Sequence, residues 1–183
     1  MDFAWLNDII QAILKVFPRP VIVRATHGGV KWRFGKYVRE MKPGWHVIWP
    51  LTTDYEVIVT ARQTNNLPAQ SVMTVDNKAV VVSVLVVFSV KDVIQAIGER
   101  NWDADTTVND ITQASVVAVV SKYNLSDLLR DLTGKVAEEL TDHCRKQLRQ
   151  FGVYIHRVAF TDFAPSKVLR LHGIEKFPGG HSM

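Results

Sequence analysis

The chain has 183 residues, 47% of them hydrophobic, a formal net charge of +4 and a single cysteine. That length suits one ordinary domain with room for an appendage, and the lone Cys144 excludes an intrachain disulfide. The charge is uneven: residues 1–50 hold eight basic side chains against three acidic ones, together with Trp5, Trp32, Trp45 and Trp49 of the five tryptophans. A basic, Trp-rich end points to an acidic surface as partner, with anionic lipid the first candidate and nucleic acid the second. The N-terminus lacks a basic leader and a small-residue cleavage site, so no cleaved signal is expected.

Residues 3–17 have helical periodicity. Phe3, Trp5, Leu6, Ile9, Ile10, Ile13, Leu14 and Phe17 cover a broad apolar face, and Asn7, Asp8, Gln11 and Lys15 form a narrow polar stripe. The segment is too short and too charged to span a bilayer, but it can lie in the interface as an anchor. A helix packed on its own domain or on a neighbouring subunit is the alternative. In the anchor reading, Lys15, Arg19 and Arg24 contact lipid headgroups. Pro18-Arg19-Pro20 ends the helix.

Val21–Ala25 and Val30–Phe34 read as a hairpin around His27-Gly28-Gly29. Lys42–His46 reads as a turn before a short strand to Pro50, and 54–62 as a strand, with Thr64–Pro68 as a link. The chain is organised around residues 67–90, which read as two strands joined at Asp76-Asn77. Val80, Val82, Val84, Val86, Phe88 and Val90 share one wholly apolar face, which predicts a central strand.

Helices are expected over 91–98 and 105–122, the second with Val108, Ile111, Ala114, Ala118 and Val119 inside. Asn124–Asp127 resembles a cap opening a short helix. Thr133 is expected to cap the next, whose stripe is Val136, Leu140, Cys144, Leu148 and Phe151, closed by Gly152. Residues 153–163 return as a strand with its alternation disturbed near Arg157. Pro165–His172 suggests a turn or two of helix, and 177–183 a frayed tail. The fold class is therefore α+β: a mostly antiparallel sheet with packed helices, preceded by an amphipathic membrane helix.

Four blocks resemble the SPFH/band 7 superfamily of stomatin, prohibitin, flotillin and HflK-HflC. They are Pro43-Gly44-Trp45-His46 with Pro50; Leu67–Lys78, which runs into the Val-rich strand; Tyr123–Leu129; and Phe151–Ile155 with Val158 and Asp162. Each motif is weak alone, and four in order make a specific match. The resemblance implies an α+β domain over 20–165, between an anchor at 1–19 and a short tail at 166–183. It further implies a membrane-associated scaffold, monotopic on the cytoplasmic face, that forms rings or other homo-oligomers and organises lipid or partner proteins. Regulation of a membrane protease is the alternative role. Most members continue into a long coiled-coil helix after the last strand. Residues 166–183 do not read so: either this is a minimal member or the chain is a fragment of a longer protein, and without that helix side-by-side packing of the domains is expected to carry assembly.

No enzyme chemistry is legible. The six histidines show no H-E-x-x-H or C-x-x-C spacing, and there is no P-loop or dinucleotide glycine pattern. His27-Gly28-Gly29 lacks the G-x-S-x-G elbow that would accompany an oxyanion loop. Cys144 falls on an apolar stripe and reads as a core thiol. Neither cofactor nor metal is expected. A single-strand nucleic-acid module on the basic, Trp-bearing strands is the less favoured alternative: basic residues are scarce near the later strands, so lipid is expected and nucleic acid is not.

Overall fold

The structure, a computed structural model, describes residues 16–98 and 103–166. The strands are β1 (Arg19–Val23), β2 (His27–Arg33), β3 (Tyr37–Met41), β4 (Gly44–Ile48), β5 (Thr53–Val59), β6 (Gln63–Asn66), β7 (Gln70–Met73), β8 (Ala79–Val90) and β9 (Val153–Ser166). Between β8 and β9 lie α1 (Ile94–Gly98), one π turn long, and helices α2 (Ala104–Val120), α3 (Leu125–Asp131) and α4 (Ala137–Leu148), with a second π turn at Leu132–Val136 between α3 and α4.

The valine alternation of β8 makes it the spine. Val80, Val82, Val84, Val86, Phe88 and Val90 are all buried, as the period of two requires. β9 runs antiparallel along its whole length, and β6 and β7 share its other edge. The β8–β9 register shifts twice, and the shift between Val87 and Phe88 leaves His156 without a ladder partner beside Arg157. That bulge is the irregularity expected there. α2 and α4 cover the buried face. Val136, Leu140, Cys144 and Leu148 are buried as one stripe, and Gly152 ends the segment in the left-handed conformation with φ 70°.

The expectation for α2 needs correction. Its buried face is Val108, Thr112, Ser115, Val116 and Val119, and Ala114 is exposed. Steps of three and four residues from Val108 put those side chains on one line, where the hydroxyls of Ser115 and Thr112 approach Cys144. The helix starts also differ from expectation. Asn124 makes no side-chain cap, and Asp131 rather than Thr133 accepts from the Lys135 amide, at 3.3 Å. Pro165 and Ser166 belong to β9, not to a helix. Residues 3–15 of the anchor expected over 3–17, the rest of the expected final helix and the tail at 177–183 lie outside the described residues.

The first five strands form two smaller sheets. β1 pairs with β4, and β2 is central between β3 and β5. The hairpin expected between the first two strands is therefore absent. Gly28 and Gly29 sit buried inside β2 rather than at its turn. A Cβ on Gly28 would meet Val93 Cγ2 at 2.8 Å, and one on Gly29 the Glu56 carbonyl at 2.8 Å. These glycines permit close approach. Residues 64–66, read as a link, are paired in β6 because β8 offers an open edge. Val30, Val90, Val93, Ala96, Ile97 and Ala104 form a core that joins the two halves of the fold.

The β7–β8 turn is also a helix cap. Asn77 adopts φ 57°, and the Asp76 carboxylate accepts from the Thr74 hydroxyl at 2.6 Å and from the Leu125 amide at 3.2 Å. Lys78 pairs with it at 2.9 Å, and the Val75 amide donates to the Tyr123 carbonyl at 3.1 Å. Tyr123 and Lys122 both bond Glu139 on α4. Two blocks far apart in sequence thus meet, and Asp76 satisfies the first turn of α3 that Asn124 leaves open. The Thr74 hydroxyl, then Lys78, holds Asp76 down at about 2. A depressed carboxylate stabilises the fold above its unfolded pKa and loses that contribution as pH falls through the folded value. Asp76→Asn should therefore lower the Tm at pH 6 by a few degrees. The gap to the natural chain should close between about pH 4 and pH 2, as read by circular dichroism melts.

Candidate functional site

The β1–β4 ribbon is amphipathic across its two faces. Val21, Val23 and Ile48 turn inward onto Met41 and Val57. By alternation Pro20, Ile22, Trp45 and Val47 turn outward, with Ile22 directly opposite Trp45 and Pro20 opposite Val47. Trp45 is 74% exposed and Trp49 48%, and Ile22, Val47 and Leu51 are exposed with them. Such a contiguous apolar face marks a contact surface. His46 Nε2 donates to the Lys42 carbonyl at 2.7 Å and ties down the turn that opens β4.

Beside the ribbon lies the tip of the β2–β3 hairpin. Phe34 and Gly35 both have positive φ, 54° and 65°, and the Lys36 amide donates to the Arg33 carbonyl at 3.2 Å. This is the mirror-image turn that suits a hairpin, with a phenylalanine where asparagine is favoured. Phe34 carries that strain while 64% exposed, and the Arg33 guanidinium stands 5.5 Å from its ring centroid. The turn thus presents an aromatic ring at an exposed tip that packs on no core among the described residues.

An open groove of about 920 Å³ separates the hairpin from the ribbon. Lys31, Arg33, Lys36 and Arg39 line one wall, and Val47, Trp49 and Thr52 the other. The β3–β2–β5 sheet sorts charge by face. Lys31, Arg33 and Arg39 share the groove face with Tyr37, Thr53 and Tyr55, while Glu40, Asp54 and Glu56 share the opposite face with Val30 and Trp32.

Of the anchor residues expected from sequence, Phe17 is exposed at 59%, while Phe3, Trp5, Leu6, Ile9, Ile10, Ile13, Leu14 and Lys15 lie outside the described residues. Arg19 and Arg24 are exposed at opposite ends of β1, and neither lines the groove. Trp32 is structural: its indole donates to the Gly98 carbonyl at 3.3 Å. The sequence reading overlooked the ribbon face, although its signal was available. Trp45, Val47 and Trp49 alternate, and so do Pro20 and Ile22, with no reason for two tryptophans to lie on a core-facing strand edge.

A serine–histidine pair also emerges, because the β9 bulge turns His156 toward Ser89. His156 Nε2 lies 3.0 Å from Ser89 Oγ, and the Arg62 guanidinium lies 3.3 Å from Nδ1. A guanidinium can only donate, so Nδ1 accepts, and Nε2 carries the proton and donates to serine. That is the wrong tautomer for a base that activates serine, and an arginine stands where an orienting carboxylate would be. Burial, then the charges of Arg62, Lys91 and Arg145, lowers the histidine pKa and keeps the ring neutral. Cys144 is fully buried, and burial pushes its thiol up, away from the reactive thiolate. Among the described residues, no three His, Cys, Asp or Glu side chains gather as a metal site. No helix among them is long and apolar enough to cross a membrane.

Three relatives come from archaea, each described only as uncharacterized. A protein of Methanocaldococcus jannaschii is 28% identical over 93% of this chain and 84% of its own length. One of Archaeoglobus fulgidus is 24% identical over 96% of this chain and 70% of its own. One of Methanothermobacter thermautotrophicus is 31% identical over 69% of this chain and 37% of its own. The model of the SPFH domain / Band 7 family matches residues 21–172, from β1 past the end of β9. The chain belongs to the SPFH domain / Band 7 family.

Proposed function

We propose that this protein is a membrane-associated scaffold that rests its β1–β4 ribbon on a lipid surface and assembles there with copies of itself. Family membership supports the general role, since SPFH proteins are in general membrane-associated, non-catalytic scaffolds. The observation that carries the reading is the outward face of Ile22, Trp45, Val47 and Trp49, with Phe34 on the hairpin beside it. Residues 1–19 supply a second, amphipathic anchor. Because β1 begins at Arg19, the two anchors are continuous in the chain. The body then sits as a monotopic unit on the cytoplasmic face. A second exposed apolar set, Met73, Val75, Val117 and Leu129, supports lateral contact between copies.

Magnitude favours the ribbon as a real contributor. The exposed parts of Trp45 and Trp49 amount to roughly 300 Å². If a third of that leaves water, the gain is about 2.5 kcal/mol at ~25 cal/mol per Å². The variant Trp45→Ser, Val47→Ser, Trp49→Ser is expected to bind vesicles about fiftyfold more weakly in a flotation assay. Deletion of residues 2–17 is expected to weaken binding as well, and the two changes together to abolish it. Unchanged flotation of the combined variant would overturn the reading. Native mass spectrometry of vesicle-bound protein released in detergent is expected to show oligomers, and a single copy throughout would remove the assembly part.

A further inference from the structure

We propose that the groove between the β2–β3 hairpin and the β1–β4 ribbon binds the phosphate-bearing headgroup of a membrane lipid. The inference rests on the membrane reading above and adds a defined ligand site to it. Its first ground is electrostatic. Lys31 and Arg39 face each other directly across β2 and β3, with Arg33 on the same face and Lys36 at the adjoining turn. Like charges directly opposite on a sheet repel. None of the four is in an ion pair with another described residue, and no carboxylate is among the groove-lining residues. The three carboxylates of this sheet are on its other face. Four cations gathered on one groove without a carboxylate among its lining residues attract an external anion.

The second ground is the chemistry of the remaining wall. Thr52 and Thr53 place hydroxyls, and Tyr37 a phenol, beside the cations, and these groups donate to phosphate oxygens. Trp49, Val47 and Phe34 line the same groove and belong to the exposed apolar surface. A ligand with a phosphate at one end and an acyl chain at the other matches that gradient. A single-stranded nucleic acid matches it less well. Phe34, Tyr37 and Trp49 do line the groove, but Trp45, the most exposed ring, faces out on the ribbon with Ile22, where a strand held in the groove would leave it unused. Free phosphate shares the headgroup chemistry but leaves the apolar wall unused.

The test uses the full chain and vesicles of phosphatidylcholine with or without phosphatidic acid. Three proteins are compared: natural, Lys31→Gln with Arg39→Gln, and Lys42→Gln with Lys146→Gln, two exposed cations outside the groove and the anchor. Both variants lose two charges, but only the first loses them from the groove. The groove variant is expected to bind the anionic vesicles at least tenfold more weakly than the natural chain, and the control variant less than threefold. Binding to neutral vesicles, made by the apolar face, should not change. Glycerol phosphate at millimolar concentration should quench Trp49 only weakly. Equal losses in the two variants would overturn the groove as a site, reduce it to diffuse charge and leave the membrane reading intact. Strong binding of glycerol phosphate or of an oligothymidine, without a preference for anionic vesicles, would overturn the lipid assignment. No binding of the natural chain to either vesicle would instead overturn the membrane reading.

Discussion

Gly152→Ala is expected to cost about 3–5 kcal/mol of folding free energy and to lower the Tm by roughly 10 °C. Gly152 has φ 70°, where an alanine costs on the order of 1 kcal/mol from backbone sterics alone. The larger part is a collision. A Cβ there would stand 2.3 Å from the Asp92 carbonyl oxygen and 3.0 Å from Asp92 Cβ. The first atom belongs to the backbone and cannot swing aside. It is also committed, since it accepts from the Ala96 amide at 3.1 Å inside the turn that starts α1. The Gly152 carbonyl meanwhile accepts from the Lys91 and Asp92 amides at 2.8 and 3.1 Å. Making room therefore separates the end of β8 from the start of β9 and breaks these backbone hydrogen bonds, at about 1 kcal/mol each and more where a group stays shielded from water. Urea unfolding followed by tryptophan fluorescence measures the loss. A cost below about 1 kcal/mol would mean that this junction yields easily, and that the glycine is only a helix terminator.

What was legible in the sequence follows from how local each signal was. β8 could be read because a dozen residues with one apolar face outvote any local propensity. The α4 stripe could be read for the same reason at the helical period. The bulge near Arg157 announced itself as a broken alternation. The pairing of β1 with β4 could not be read, because two short strands separated by the β2–β3 hairpin carry no mark of their partner. Gly28 and Gly29 misled because a glycine pair signals a turn when seen from the chain, while its purpose here is the approach of Val93, Thr60 and the Glu56 carbonyl. β6 has a polar sequence, Gln63–Asn66, and becomes a strand through the edge that β8 presents. The candidate site was half legible. Basic residues and tryptophans were seen to crowd the first fifty positions. Their sorting into an apolar ribbon face and a cationic sheet face appears only once the register is known.

Phe88→Ala is the second large effect, at about 3–5 kcal/mol. Phe88 is fully buried at the crossing of three strands, opposite Gln63 on β6 and Ile155 on β9. The adjacent register shift fixes the β9 backbone there. A sheet pinned by a bulge on one edge and by β6 on the other cannot collapse into the space a lost ring leaves, so the cavity term should be near its upper range. Phe88→Leu retains most of the volume and should cost less than half as much. Both are measured by urea unfolding.

The same variants separate stability from lipid contact. Phe88 belongs to the core under α2 and α4, whereas the ribbon rests on its own small core of Val23, Met41 and Ile48. At a temperature where circular dichroism shows the Phe88→Ala chain folded, vesicle binding should match that of the natural chain within a factor of two, while the triple ribbon variant loses about fiftyfold with its unfolding midpoint unchanged. Lipid binding that falls in step with core stability would show that the outward tryptophans are not the contact, because a contact built only on the ribbon has no physical reason to feel a cavity beneath the helices.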